Sequence, residues 1–161
     1  MKTYKAPWCT SLIVVSALAT LLCLGLTFGI PWFPAPKHCG EVGRWLRWLP
    51  MVLIIGSALF TIRGYSISPD AILVRRLLWA TCLPRAGLRS AEFVPNAMRK
   101  SLRTCGNGGF FSFTGFYWSK SLRSYRAYVT DLRQTVVLRY ERRTIVVSPD
   151  SPEDFVRELG A

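Results

Sequence analysis

Residues Ser11 to Ile30 read SLIVVSALATLLCLGLTFGI, a run of twenty mostly apolar residues. The run lies within a longer segment, Ala6 to Pro36, that carries no charged residue. As an α-helix it would be about 30 Å long, which matches the hydrocarbon thickness of a bilayer. A helix in water needs a polar face, and this one offers only a few hydroxyl side chains. The run therefore predicts a transmembrane helix.

A secretory signal peptide is the main alternative, because Lys2 and Lys5 precede the apolar run. The run is longer than the usual signal core of about 7 to 15 residues, and a second apolar run follows it. Lipoprotein processing at Cys23 is disfavoured, since leucines precede this cysteine where small residues are expected. We therefore favour a retained helix.

The second apolar run, Trp48 to Ile62, follows a loop with three prolines and two glycines, Pro31 to Arg44. Its fifteen uncharged residues would form a helix of only about 22 Å. A full crossing requires the helix to extend over about residues 46–63, with Arg47 and Arg63 snorkelling outward. A buried or re-entrant helix is the alternative. The sequence thus predicts a membrane-anchoring region, 1–63, with helices at about 11–30 and 46–63, and a soluble domain, 64–161.

Basic residues near the helix ends predict the orientation. Five flank the outer ends of the two predicted helices: Lys2, Lys5, Arg63, Arg75 and Arg76. Three lie in the intervening region: Lys37, Arg44 and Arg47. Because cytoplasmic segments carry the excess of Lys and Arg, this distribution predicts both termini in the cytoplasm and Cys39 on the other side of the membrane.

The soluble domain is basic, with sixteen Lys and Arg against eight Asp and Glu from Arg63 onward, a net charge of +8. A basic domain tethered beside a membrane is expected to be attracted to anionic lipid headgroups. Nucleic acid is disfavoured as a partner, because the charges form neither a basic helix nor a zinc-finger frame. An unknown protein partner and a homo-oligomer are also compatible with this composition.

Neither a catalytic site nor a cofactor or metal site is predicted. Five cysteines lie far apart without metal-ligand spacing, and His38 is the single histidine, so zinc, a disulfide framework and a Ser/His/Asp set are all disfavoured. The glycine-rich stretch CGNGGF, which begins at Cys105, lacks the GxxxxGK[ST] order of a phosphate-binding loop. We therefore expect a protein that is not an enzyme.

The pattern after Arg63 changes to the alternation typical of β-strands. In one predicted strand, Val136, Leu138 and Tyr140 share a face, and Val137 and Arg139 lie on the other. The predicted strands are Gly64–Ser68, Ala71–Trp79, about Leu88–Val94, a glycine-bent strand over Phe110–Trp118, Arg123–Thr130, Thr135–Glu141 and Arg143–Val147.

A short helix is predicted at the end of the chain. Ser151 is a good N-cap, and Pro152 suits the first helical position. The apolar side chains of Phe155, Val156 and Leu159 share one face, which is expected to pack on the open end of the strands.

Four stretches in the soluble domain resemble the bacterial PH-like domain family of small membrane proteins. They are YSISPDAILVRR at the first hairpin, GNGGFFSFTGFYW in the middle, SYRAYVTD just after it, and IVVSPDSPEDFVREL at the end. The resemblance implies a membrane helical hairpin followed by a mainly-β PH-like barrel or sandwich with one C-terminal capping α-helix. It also implies the bacterial cytoplasmic (inner) membrane as the location and no enzymatic activity. Phosphoinositide-binding PH domains use a basic first hairpin loop, whereas this loop, Ser68 to Asp70, is acidic, so that site is not carried over.

The candidate binding residues lie in an acid-free interval, Phe93 to Thr130. Its six basic residues are Arg99, Lys100, Arg103, Lys120, Arg123 and Arg126. Between the two groups of cations, Phe110 to Trp118 holds six aromatic residues in nine. Cations around aromatics are typical of a surface that lies on an anionic bilayer. Alternatively, the stretch, which follows Gly106, Gly108 and Gly109, is a strand bent by glycines that supply positive φ, with most of its aromatics in the core.

These patterns predict a membrane-anchored, non-catalytic PH-like module that presents a basic surface to anionic lipid headgroups, a protein partner, or both. The alternative is an accessory subunit of a larger membrane complex, which contacts its partners mainly through its transmembrane helices.

Overall fold

The computed structural model describes residues 2–29, 45 and 48–160, and the elements within them follow the order one short strand, two helices, nine strands and a last helix. The helices are α1 (Thr10–Gly29), α2 (Leu49–Leu59) and α3 (Pro152–Gly160). The strands are β1 (Lys2–Lys5), β2 (Ile62–Ile67), β3 (Ala71–Arg76), β4 (Ala80–Pro84), β5 (Leu88–Phe93), β6 (Leu102–Gly108), β7 (Phe113–Ser119), β8 (Arg123–Val129), β9 (Val136–Tyr140) and β10 (Thr144–Val147).

The first sheet has four antiparallel strands in the order β1-β2-β3-β4. Strand β1 was not predicted from the sequence, and it precedes the apolar helix α1. It pairs with β2 in a register that places Lys5 opposite Gly64. The sheet therefore brings together two segments that α1 and α2 separate in the chain.

The second sheet has six strands in the order β5-β9-β10-β8-β7-β6. Its neighbouring strands are antiparallel except β8 and β10, which run parallel. Strand β9 shows the predicted alternation: Val136 and Leu138 enter one buried cluster and Val137 enters another. Both faces of this sheet are therefore covered at its centre.

The two buried clusters lie on opposite faces of the second sheet. The larger one lies between the two sheets and contains Tyr65, Ile72, Val74 and Ile145. The smaller one is covered by the segment between β5 and β6, from which Met98 packs against Tyr125 and its neighbours. This arrangement of two sheets fits the PH-like sandwich that the resemblance implies.

Helix α3 closes the sandwich as predicted. Phe155 is fully buried and Leu159 is buried in the larger cluster. The ring of Phe155 meets the ring of Tyr4 edge-on, with centroids 5.1 Å apart, and lies 6.2 Å from that of Tyr65. The last helix thus contacts both β1 and β2.

Helix α1 matches the predicted first apolar helix to within one residue at each end. By length and composition it is able to cross a membrane, with a mean hydropathy of 2.3 over its most apolar window. Most of its apolar side chains are exposed, among them Leu18, Leu21 and Leu22. The helix therefore presents an apolar surface that the rest of the described chain does not cover.

Helix α2 packs against α1 but is shorter than the predicted second span, 46–63. It ends at Leu59, where the N–H groups of Phe60 and Thr61 bond to Ser57 and Ala58 one turn earlier. Ile62 then pairs with Arg76 in the first sheet. The prediction of helix at 60–63 is wrong, because Phe60 and Thr61 form a turn and sheet pairing extends the backbone from Ile62. The predicted loop at 31–44 lies outside the described residues.

The middle of the domain also differs from prediction. The predicted strand Ala71–Trp79 is too long, because β3 ends at Arg76 and Leu77 to Trp79 form a turn into β4, a strand that was not predicted. The predicted strand Phe110–Trp118 is the second half of a hairpin, β6-β7. Its aromatics do not mostly enter the core: Tyr117 is buried, whereas Phe116 and Trp118 are 49% and 43% exposed. The face of β6 and β7 that carries these two rings extends beyond the first sheet.

Candidate functional site

A groove of about 730 Å³ separates helix α2 from the face of strands β6, β7 and β8. We call it the α2 groove. Val52, Leu53, Gly56 and Ser57 line its helical side. Its sheet side is formed by Cys105, Gly106, Asn107, Thr114, Gly115 and Phe116. Phe60, where α2 ends, and three arginines complete the lining: Arg76, Arg103 and Arg126.

Arg76 is the most buried cation in this lining, with 8% of its surface exposed. It lies at the end of β3, where Nη1 donates a hydrogen bond to the carbonyl oxygen of Phe60 at 3.3 Å. Its guanidinium is also surrounded by aromatic rings, 5.3 Å from the centroid of Phe60, 5.7 Å from Trp79 and 5.5 Å from Tyr128. The Nε atom is buried without a hydrogen-bond partner. Three rings therefore hold this charge in place, but its hydrogen-bonding capacity is not filled.

Arg126 reaches the same region from β8. Its guanidinium lies 5.2 Å from the ring centroid of Tyr128 and 5.3 Å from that of Phe116. Two cations thus approach one tyrosine ring. Burial lowers the pKa of Arg76, and the nearby charge of Arg126 lowers it further, although Tyr128 acts in the opposite direction. The groove thus places the exposed Arg126 charge beside the poorly solvated Arg76 charge.

No acidic side chain lines the α2 groove among the described residues. The ion pairs between described residues lie elsewhere and join Lys2 to Glu158, Arg89 to Glu141, Arg139 to Glu92, and Arg157 to Asp154. Neither Arg76 nor Arg126 takes part in them. The electrostatics of the groove therefore favour an anion.

The backbone itself forms part of the sheet wall. Gly106 and Gly115 are directly opposite in the β6-β7 pair and have φ angles of +118° and +143°. A Cβ on Gly115 would lie 2.2 Å from the carbonyl oxygen of Cys105. Positive φ was predicted for the glycines of this stretch, and Gly106, Gly109 and Gly115 have it, whereas Gly108 does not. Because Gly106 and Gly115 have no side chains, nothing projects from these two positions of the sheet into the groove.

The six sequence-predicted cations are all exposed, but the structure does not bring them into one site. Arg99 and Lys100 lie in the segment that covers the smaller cluster, and Lys120 and Arg123 lie at the β7-β8 turn. Arg126 is on the opposite face of the sheet, in the α2 groove. Arg103 lies beside Tyr117 and lines both the groove and a small pocket with Met98.

An exposed apolar face continues from the groove along β6 and β7. Leu102 and Trp118 are directly opposite in the register, and Phe116 is opposite Arg126. Leu102 is 68% exposed. Apolar side chains beside cations were part of the predicted bilayer-facing surface. Among the aromatic residues of Phe110–Trp118, it is Phe116 and Trp118 that are exposed on this apolar face.

Sequence reasoning did not identify Arg76 as a site residue, although a signal was present. Ile72, Val74 and Arg76 are alternate residues of β3, so their side chains lie on the same face of the strand. Ile72 and Val74 face the core, and alternation therefore directs the Arg76 side chain inward. It was counted only among the basic residues near the helix ends. Its burial depends on the nearby ring of Trp79 and on the rings of Phe60 and Tyr128, which are distant in sequence, so these last two contacts are not visible in the local sequence.

Comparison with known proteins gives a family. The chain matches the model of the bacterial PH domain over residues 63–161, which is more than half of its length. Neither the curated proteins nor the solved structures contain a significant match. The matched region begins in β2 and includes every later strand and α3, so the family and the two-sheet fold agree, and the chain belongs to the bacterial PH domain family.

Proposed function

We propose that this protein is a non-catalytic binding module held at the cytoplasmic face of the bacterial inner membrane by α1 and the segment containing α2. In this proposal, residues 1–63 anchor the chain and residues 64–161 form the PH-like domain, to which the anchoring region contributes β1. The exposed cations outside the groove, which we call the outward cations, attract anionic headgroups, so that the domain lies close to the leaflet. They are Arg99, Lys100, Lys120 and Arg123.

The pairing of β1 with β2 is the observation that carries this proposal. Lys5 precedes α1, Gly64 follows α2, and the two residues are neighbours in one sheet. A chain that leaves this sheet and crosses the membrane in α1 must cross back before it reaches Gly64. Both termini are then on one side, as the distribution of basic residues predicts. The pairing also disfavours a cleaved signal peptide, because cleavage after α1 would separate β1 from the chain that follows.

The exposed surface of α1 supports membrane anchoring independently. Leu18, Leu21 and Leu22 are 63%, 65% and 64% exposed. An apolar surface of this extent is unfavourable in water and favourable in lipid. The same surface is what favours the second candidate function, an accessory subunit that uses its helices to contact a larger membrane complex.

The outward cations can be tested on the full chain in nanodiscs. A donor fluorophore is attached to Ser121→Cys, in a chain in which Cys39, Cys82 and Cys105 are replaced by serine. The acceptor is a labelled lipid headgroup. Transfer efficiency should be higher with phosphatidylglycerol than with phosphatidylcholine, and it should fall with added salt, because screening acts over about 8 Å at physiological ionic strength.

The matched variant reverses the four cations outside the groove, Arg99, Lys100, Lys120 and Arg123, to Glu. Each cation near an anionic surface contributes about 1 kcal/mol, so the four together should matter more than any single change. We expect the variant to lose the preference for phosphatidylglycerol while its melting temperature stays close to that of the parent chain. Equal transfer in both lipids for the parent chain would remove the headgroup role and leave protein partners as the remaining explanation.

A further inference from the structure

We propose that the α2 groove binds one anionic phospholipid of the adjoining leaflet, with its phosphate between Arg76 and Arg126 and an acyl chain along α2. This rests on the proposed membrane anchoring, but not on the four outward cations.

The burial of Arg76 is the first argument. A cation that is 8% exposed has lost most of its hydration, and a buried charge is costly unless it is paired. The three surrounding rings offer cation–π attraction, but a ring cannot accept the planar hydrogen bonds of a guanidinium as an oxyanion does. The Nε hydrogen has no acceptor. A phosphate in the groove would supply the missing negative charge, and its oxygens would accept hydrogen bonds from guanidinium N–H groups that line the groove.

The convergence of the two arginines is the second argument. Both guanidinium groups lie within 6 Å of the Tyr128 ring centroid, at 5.5 Å for Arg76 and 5.2 Å for Arg126. Two like charges at one ring repel each other, and an anion between them would relieve this repulsion. A lipid with a net negative charge suits the pair better than phosphatidylcholine, whose ammonium group would be repelled.

The opposite wall provides a place for an acyl chain. Val52 and Leu53 on α2 are 61% and 55% exposed and line the groove. Gly56 is on the same wall, and a Cβ there would meet no atom within 4 Å. Phe116 faces them from the sheet. A cleft of about 730 Å³ with apolar walls and two convergent cations has the size and chemistry of a ligand site. Because α2 is part of the proposed anchor, a lipid can enter from the bilayer.

The chain contains its own pair of reporters for this proposal. Cys105 is exposed and lines the groove, whereas Cys82 is exposed on β4 and lies outside it. The full chain is purified in detergent and mixed with phosphatidylglycerol or phosphatidylcholine at matched mole fractions. The alkylation rate of each cysteine is then followed by peptide mass spectrometry. Phosphatidylglycerol should slow alkylation of Cys105 and leave that of Cys82 unchanged, and phosphatidylcholine should leave both rates unchanged.

Two groove variants and one control test the role of the cations. Arg126→Gln should raise the phosphatidylglycerol fraction that half-protects Cys105 by about tenfold, the usual effect of losing one charge-assisted contact. Arg76→Lys keeps the charge but loses the two-pronged donor geometry, so it should also raise this fraction. Arg142→Gln removes one exposed charge on the β9-β10 turn, outside the groove, and should leave the midpoint unchanged.

Four outcomes would overturn the proposal. Equal protection of Cys105 by both lipids would indicate acyl-chain binding without headgroup recognition. Equal slowing of Cys105 and Cys82 by phosphatidylglycerol would support attraction to an anionic surface, as in the proposed function, but not the groove site. Protection that survives Arg126→Gln and Arg76→Lys would exclude the assigned cations. Protection by oleate that is as strong as by phosphatidylglycerol would assign the groove to a single-chain carboxylate instead.

Discussion

The hydroxyl of Ser16 in α1 accepts a hydrogen bond from the backbone N–H of Phe111 at 2.9 Å. Ser16 is 3% exposed, so a polar side chain in the apolar helix is buried against the β6-β7 turn. Phe111 has a φ of +64°, an unfavourable conformation for a bulky residue. Its ring also meets Trp8, with centroids 6.1 Å apart. Helix α1 therefore holds a strained turn of the β-rich body in place.

Ser16→Ala should loosen this turn. The Phe111 N–H would lose its partner, at a cost of about 1–3 kcal/mol if water does not replace the hydroxyl. We expect hydrogen exchange at Phe111 to accelerate by about tenfold or more. Thr20→Ala is the control, because the Thr20 hydroxyl donates to the Ser16 carbonyl oxygen within the same helix. Equal exchange in the two variants would contradict the assigned role of Ser16.

Gly64→Ala should weaken the attachment of β1. A Cβ at this position would lie 2.5 Å from the carbonyl oxygen of Tyr4, a backbone atom that cannot move without its strand. Overpacking of this kind costs about 1–3 kcal/mol. We expect a lower melting temperature and faster hydrogen exchange over Lys2–Lys5. Gly25→Ala is the control, because a Cβ there meets nothing within 4 Å, and it should have the melting temperature of the parent chain. If Gly64→Ala also keeps that melting temperature, tight pairing of β1 with β2 at Gly64 is excluded.

The sequence predicts those elements whose pattern is local. The alternation in β9, the capped helix α3 and the apolar helix α1 are each specified by neighbouring residues, and all three form where expected. Strand β1 has only four residues, and its partner lies beyond both apolar helices. A strand this short has too few alternations to be detected by period, so its identity depends on tertiary pairing.

The candidate site was harder to predict than the fold, because it is assembled from distant segments. The six predicted cations belong to one acid-free stretch of the sequence, but in the structure they lie on two faces of a sheet and at a turn. Arg76 and Arg126 are fifty residues apart in sequence and meet at Tyr128. The exposure of Phe116 and Trp118 follows from the width of the second sheet relative to the first, which strand patterns do not specify.

Ionisation of Tyr65 should lower the free energy of unfolding at alkaline pH. Its hydroxyl donates to the Tyr128 carbonyl oxygen at 2.6 Å and accepts from the Ser148 N–H at 3.2 Å. Burial raises the pKa of Tyr65 to about 12, although hydrogen bonds from Ser148 and the charge of Arg76 act against this. The pKa of Tyr65 in the folded protein is above the unfolded value of about 10. The contribution of this difference to the free energy of unfolding is therefore complete below pH 10 and is lost as the pH rises towards 12.

The expected alkaline loss from Tyr65 is about 3 kcal/mol. Tyr65→Phe should be less stable at neutral pH by about 1–3 kcal/mol, because the Tyr128 carbonyl loses its donor. The same variant should show a shallower decline in unfolding free energy between pH 10 and 12. If the parent chain and the variant decline in parallel over this range, Tyr65 does not titrate with unfolding.

The paired strands β1 and β2 predict that residues on either side of the two helices react from the same face of the membrane. Thr3 is exposed in β1, and the native Cys82 is exposed in β4. In intact cells, an impermeant maleimide should spare both Thr3→Cys and Cys82, and in inverted membrane vesicles it should label both. Labelling of the two from opposite faces would exclude the proposed pair of crossings. Labelling of both in intact cells would invert the predicted orientation.

The β3-β4 turn should lie at the membrane interface. Trp79 meets Phe60 edge-on at 5.2 Å, at the point where α2 ends. Beside it, Leu78 is 72% exposed, so its side chain has no packing role in the domain. Leucine and tryptophan at the end of an apolar helix are typical of side chains that enter the headgroup region. The turn is therefore expected to contact lipid, although it is outside both helices.

An environment-sensitive fluorophore at Leu78→Cys tests this contact, in the full chain with Cys39, Cys82 and Cys105 replaced by serine. Asp70→Cys is the matched control, because Asp70 is exposed at the opposite end of β3, about 20 Å away along the strand. In nanodiscs, the label at Leu78 should emit at shorter wavelength than the label at Asp70 and should be quenched more by brominated lipid. Since Leu78 is exposed, Leu78→Cys should change the melting temperature little. Equal emission and equal quenching at the two positions would indicate that the domain stands away from the bilayer, with α1 and α2 as its only contact.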